Sequence, residues 1–303
     1  MLKTSAIERI EKTIPAIDKR TITHVKILAM VYITLEAFSI LFLLMFFCVF
    51  NNSILLKKIN TNIFKLLVIH YVKLTSDIMI KRQLLIFLKG ILAGLSIGLG
   101  GFLYILMCFL FKGDIAELGK IFGSILFSVG LFLVCTFYLS LYTGKIGLIY
   151  EGKQEKEFYI SLPIMLIGNA IGAFAFGYMC FFIFKNTDIY LVAKNAADSR
   201  LVFSSALDYI TTMLKAFLCG VCVYLAVKCF SLNRLKPIGI LLLVFFVFTF
   251  VYCGFQHCIA NMFYFGMANA IEWNTLTNLV LVILFNSLGP IIGVLMVRLF
   301  TKK

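Results

Sequence analysis

Apolar residues gather into seven runs along the chain, roughly 26–50, 84–111, 121–142, 158–184, 211–230, 237–265 and 276–300. Each comes close to or exceeds the roughly 20 residues that carry a helix across a bilayer. The last six repeat. Leu88-Lys89-Gly90-Ile91-Leu92-Ala93-Gly94 returns as Leu214-Lys215-Ala216-Phe217-Leu218-Cys219-Gly220. Each copy stands two segments upstream of an Asn-x-x-Gly element, Gly168-Asn169-Ala170-Ile171-Gly172-Ala173 and Phe285-Asn286-Ser287-Leu288-Gly289-Pro290. Three crossings per copy is an odd number, so the second copy enters the bilayer from the side opposite the first. The pattern therefore predicts an all-α membrane protein whose six-helix core is two inverted three-helix repeats, with a solute path where the copies meet.

Two runs are interrupted or over-long, and they hold matching places as the second and fifth of the core. One breaks at Leu141-Tyr142-Thr143-Gly144-Lys145, the other at Cys253-Gly254-Phe255-Gln256-His257. Both are expected to be broken helices, whose freed backbone groups must line a cavity or be buried in protein.

Composition agrees with a bilayer setting: 62% of residues are hydrophobic and 14% charged, too few to cover a water-soluble surface. The net charge of +14 would point to nucleic acid in a soluble protein. Here the Lys and Arg flank apolar runs as headgroup anchors, which removes that reading. Lys81, Arg82, Lys145, Lys153, Lys156, Arg234, Lys236, Arg298, Lys302 and Lys303 mark one side of the core. Lys112, Lys120, Lys185, Lys194 and Arg200 mark the other, and the bias predicts cytoplasmic core termini in the plasma membrane. The nine Cys lie in or beside apolar runs and read as small packing residues, including the C-x-x-C of Cys219 and Cys222. Neither a metal nor a cofactor is expected.

Residues 1–80 form an extension to this plan. Its run at 26–50 can span as an extra helix, with basic residues on both flanks, and 54–74 reads as a basic amphipathic stretch on the membrane surface. The core domain is expected over 81–303. Met79-Ile80-Lys81-Arg82 could also start a complete transporter, which would leave the first 78 residues dispensable or untranslated.

Titratable groups at membrane depth are functional candidates. His257, the only His of the core, lies in the break of the fifth segment with Gln256 and Asn261 nearby. Asn169 and Asn286 suit hydrogen bonds across helices, worth roughly a kcal/mol. Lys89 and Lys215 either snorkel to headgroups or draw anions into two vestibules. Glu151, Glu155, Glu157 and Glu272 fall in expected loops and read as solvated. Without a carboxylate in the core, an anion or neutral solute is favoured over a cation. No phosphate loop, nucleophile elbow or H-E-x-x-H occurs, so an enzyme or ATP-driven pump is not expected.

Leu141-Tyr142-Thr143-Gly144 resembles the L-F-T-G loop of the formate/nitrite transporter family. Gly254-Phe255-Gln256-His257-Cys258-Ile259-Ala260-Asn261-Met262 is similar to that family's G-[FY]-E-H-x-x-A-N-M signature, and Gly168-Asn169-x-x-Gly172-Ala173 agrees. The resemblance covers about residues 81–303. It implies an aquaporin-like protomer with its own pore, assembled as a homopentamer. It also makes His257 the central pore histidine, faced by Thr143 and neighboured by Asn261, with Lys89 and Lys215 in the vestibules. Leu141, Tyr142 and Phe250 would form the apolar constrictions. Gln256 and Tyr142 depart from the pattern, replacing an acidic residue and a Phe. The function implied is passive or proton-coupled passage of a small monovalent anion, formate first, then nitrite, hydrosulfide or short monocarboxylates. A neutral-solute channel and a non-transporting membrane scaffold are the alternatives.

Overall fold

The computed structural model describes residues 61–152, 154–233 and 236–301, with side chains placed within 79–299. The chain divides into two compact units, 1–75 and 76–303. Of the first, residues 61–75 are described and are helical; the expected helix at 26–50 lies outside the described residues. All regular structure among the described residues is helical.

The first repeat begins with α1 (Thr61–Leu110), whose apolar part is Met79–Leu110. A 3-10 turn leads into α2 (Ala116–Thr136), which stops short of two single-turn helices, α3 (Tyr142–Lys145) and α4 (Leu148–Glu151), and α5 (Lys156–Phe184) closes the copy. A short amphipathic helix, α6 (Asp188–Asp198), joins the copies. In the second repeat α7 (Ala206–Leu232) opens with a Ser205–Asp208 capping box. It is followed by α8 (Pro237–Tyr252), α9 (Cys258–Ala268), and the consecutive α10 (Trp273–Leu288) and α11 (Pro290–Thr301). Among the described residues five helical stretches are long and apolar enough to cross a membrane, and α8 and α9, individually shorter, occupy the place of the sixth.

The second break falls where the sequence places it, at 253–257, and the first lies four residues earlier than expected, at 137–141. The two matched half-helices differ. All eleven residues of α9 are buried, against α5 and α6, whereas the matching α3–α4 segment buries only Tyr142, Thr143, Ile146 and Gly147. The broken helices also join the copies: α9 packs on α5 and α2 packs on α8.

Within each copy the first and third helices touch backbone to backbone. A Cβ on Gly94 would collide with the Asn169 carbonyl, and one on Gly220 with the Asn286 carbonyl. Gly172 meets the Ile91 carbonyl and Gly289 the Phe217 carbonyl in the same way. Close approach of this kind is the packing available when lipid tails are as apolar as the helices and no hydrophobic force drives them together.

Candidate functional site

A half-helix inside a membrane leaves N–H and C=O groups that have no water to turn to. Two asparagines take them up. Asn169 Oδ1 accepts the Tyr142 N–H at 2.8 Å, while its Nδ2 donates to the Ser140 carbonyl at 2.8 Å and the Gly90 carbonyl at 2.9 Å. Asn286 repeats the arrangement: Oδ1 accepts the Cys258 N–H at 2.9 Å, and Nδ2 donates to the carbonyls of Gln256 at 2.8 Å and Ala216 at 2.7 Å. The Lys89 and Lys215 carbonyls accept the loop N–H groups of Ser140 and Gln256, each at 3.4 Å. The repeat thus extends from residue pattern to individual hydrogen bonds.

This register makes Leu141 and His257 equivalent, each standing just before its half-helix, and both are buried at 1–2% exposure. One copy presents an isobutyl group and the other an imidazole at the same place. His257 Nδ1 accepts the Ala260 N–H at 3.3 Å and caps α9. Since Nδ1 is an acceptor, the neutral ring carries its proton on Nε2, which donates to Thr143 Oγ1 at 2.8 Å. The Thr143–His257 hydrogen bond thus links the two breaks. Phe250 stands 5.9 Å from the imidazole, ring to ring, and packs edge-on against Phe127 at 5.7 Å. The Tyr142 hydroxyl shares a 2.9 Å hydrogen bond with Ser287, and its ring packs with Ile146, Leu162 and Met165.

A small cavity of about 10 Å³, open on one side, lies against His257, Phe250, Asn261, Tyr264 and Arg200. Arg200 was counted in the sequence only as a basic loop residue. It follows α6, and its Nε donates to Asn261 Oδ1 at 3.1 Å while its guanidinium stacks 4.4 Å from the Tyr264 ring centre. One further N–H bonds the Ala196 carbonyl. None of the ion pairs among the described residues involves it. Asn261 Nδ2 in turn donates to Gln256 Oε1 at 3.0 Å and Asn278 Oδ1 at 2.9 Å. Gln256 Oε1 also accepts from Asn278 at 2.7 Å, so Gln256 serves Asn261 and Asn278. Arg200 is thus a half-buried cation whose side-chain partners are all neutral.

Lys89 and Lys215 are half-buried, and neither lines this cavity. No sequence signal singled out Arg200; its position depends on α6, whose buried Ala193 and Ala197 seat it against the core. Two of the acidic residues read as solvated are paired: Glu157 with Arg82, and Glu151 with Lys228, the latter at 2.6 Å and with both side chains about a quarter exposed. Glu155 and Glu272 are exposed. The eight described cysteines are free thiols, with Cys180, Cys219 and Cys258 buried in the apolar core.

Membrane-length helices, two matched helix breaks and polar groups gathered where the breaks meet define an integral membrane protein of the channel or transporter type. The formate/nitrite transporter family model matches residues 67–300, and the chain belongs to that family. Among solved structures it is similar to a pentameric formate channel with formate bound, at 24% identity and a TM-score of 0.63 over 73% of this chain and 99% of that one. It is also similar to an FNT family ion channel, at 18% identity and a TM-score of 0.59 over 72% and 90% of the respective chains. No curated protein matched.

Proposed function

We propose that the chain conducts a small monovalent anion, formate first, with nitrite, hydrosulfide and short monocarboxylates behind it. The observation that carries this reading is the cavity shared by Arg200 and His257 with no carboxylate on its walls. The guanidinium offers a planar donor set to an anion at the mouth. The apolar rings of Phe250 and Phe127 then oppose its passage as a charge, because a bare carboxylate loses its hydration there. A neutral acid passes such a constriction far more easily, so the anion must gain a proton, or share one, near the break.

His257 is the group placed to help. Its Nε2–H, held by Thr143, is the donor that an arriving carboxylate would take over in exchange for the hydroxyl. A second proton on the ring would have to sit on Nδ1 and would release the Ala260 cap. On that geometry His257 polarises the anion toward protonation from vestibule water more readily than it acts as a stored acid. Lys89 and Lys215 add positive potential along the path, Leu141 and Tyr142 narrow it from the first copy, and Asn261 holds Arg200. The assembly proposed is a homopentamer in the plasma membrane with cytoplasmic core termini.

The test is formate uptake into proteoliposomes with an inward proton gradient imposed or dissipated. Uptake should accelerate with the gradient, and His257→Phe should abolish the proton-linked part while leaving the oligomer intact. Gradient-independent flux in both proteins would reject the role given to the imidazole.

A further inference from the structure

The two half-helices that meet at His257 and Thr143 are secured by different means. On the His257 side, α9 is buried along its whole length in apolar packing. On the Thr143 side, Tyr142 and Ile146 pack against Leu162 and Met165, but the second turn has no fully buried residue, only the half-buried Ile149 and Tyr150. That turn ends instead in polar bonds to the other copy. Glu151 Oε2 accepts from Lys228 Nζ at 2.6 Å and Oε1 from the Tyr224 hydroxyl at 3.0 Å. Arg298 donates to the carbonyls of Tyr150 and Glu151, each at 2.9 Å. Tyr224 itself fills the space left by Gly147 and Gly293, so its ring is wedged between the first-copy segment and α11.

We propose that Glu151 is a positioning residue: with Lys228, Tyr224 and Arg298 it holds residues 142–151 against the second copy and so sets where Thr143 and the Leu141–Tyr142 constriction stand relative to His257. The proposal rests on the transport reading above for its functional consequence, though not for the anchoring itself. A half-buried ion pair loses most when one partner is removed, because the other charge is left uncompensated. With only the half-buried Ile149 and Tyr150 left to hold α4, the freed segment can drift from the ring, widening the constriction. Larger anions should then gain on formate.

Amide hydrogen exchange of 142–151 and the formate-to-lactate flux ratio, measured on the full-length protein in proteoliposomes, test this together. In Glu151→Gln and Lys228→Met, exchange over 142–151 should accelerate at least tenfold while 258–268 stays as in the wild type. The flux ratio should fall at least fivefold. Lys228→Arg should keep both wild-type values. Tyr224→Phe, which removes one hydrogen bond without stranding a charge, should give a smaller shift of the same sign even if the charge variants do not fold. Unaltered exchange over 142–151 in all variants, or faster exchange with an intact ratio, overturns the proposal. If the wild-type protein carries no formate, the transport reading fails, and the exchange measurement alone decides whether Glu151 anchors the segment.

Discussion

Replacing Asn286 by Ala removes three hydrogen bonds at once and fills nothing in their place. The Cys258 N–H loses its acceptor, and the carbonyls of Gln256 and Ala216 lose their donor, at a side chain with no solvent exposure. Interhelical hydrogen bonds in membranes average about 0.6 kcal/mol and reach about 1.7, so three of them give a loss of about 2 to 5 kcal/mol. The upper end applies if the stranded groups find no other partner, since a buried unsatisfied group costs ~1–3 kcal/mol by itself. Reversible unfolding in mixed micelles, titrated with a denaturing detergent, measures the difference directly. Asn286→Asp keeps the acceptor but turns an acceptor oxygen toward both carbonyls at a fully buried site, and should be no more stable than Ala. The same series at Asn169, whose bonds are the repeat equivalents, should give matching losses. An Asn286→Ala protein within about 0.5 kcal/mol of wild type, below the average of even one such bond, would refute the view that these amides secure the breaks.

Gly94→Val should destabilise by at least the roughly 1–3 kcal/mol typical of overpacking, because its Cβ would stand 2.8 Å from the Ala173 nitrogen; unfolding in the same micelles reads it, and a neutral result would deny the close approach. Thr143→Val strands the imidazole Nε2–H and should slow formate uptake about tenfold or more, a loss of order 1–3 kcal/mol, whereas Thr143→Ser should retain it; equal rates for Val and Ser would remove the hydroxyl from the path. Arg200→Met should raise the formate concentration for half-maximal uptake at least tenfold, and Arg200→Lys less, in concentration-dependent flux. An unchanged value for Met would show that the cavity's cation does not gather the anion.

The plan of six spans and two breaks was legible because membrane helices advertise themselves. Each apolar run must cross, and a run that carries Gly254, Gln256 and His257 cannot stay regular without burying polar groups. The signature around His257 and the Thr143 loop led to the family, and the family match confirms that resemblance. The meeting of Thr143 with His257 was also expected, though its hydrogen-bond direction came only from the Ala260 cap. Arg200 was hidden because nothing local marks it: a basic residue after a short polar helix looks like any loop charge until α6 seats it beside Tyr264. Glu151 was hidden for a related reason. Its partners Lys228 and Arg298 lie 77 and 147 residues further on, and a solvated loop has the same local composition as an anchored one.

The glycine contacts of α1 with α5 and of α7 with α10 carry one more consequence. Where a carbonyl meets a Cα there is no rotamer to turn, so each pair behaves as a stiff plate whose thickness is set by covalent geometry. A bilayer thinner or thicker than the protein's apolar band can be met by tilting these plates, but not by spreading their helices. Lipid thickness should therefore act on the angle between the two plates, and the place where that angle is felt is the line along which the broken helices meet.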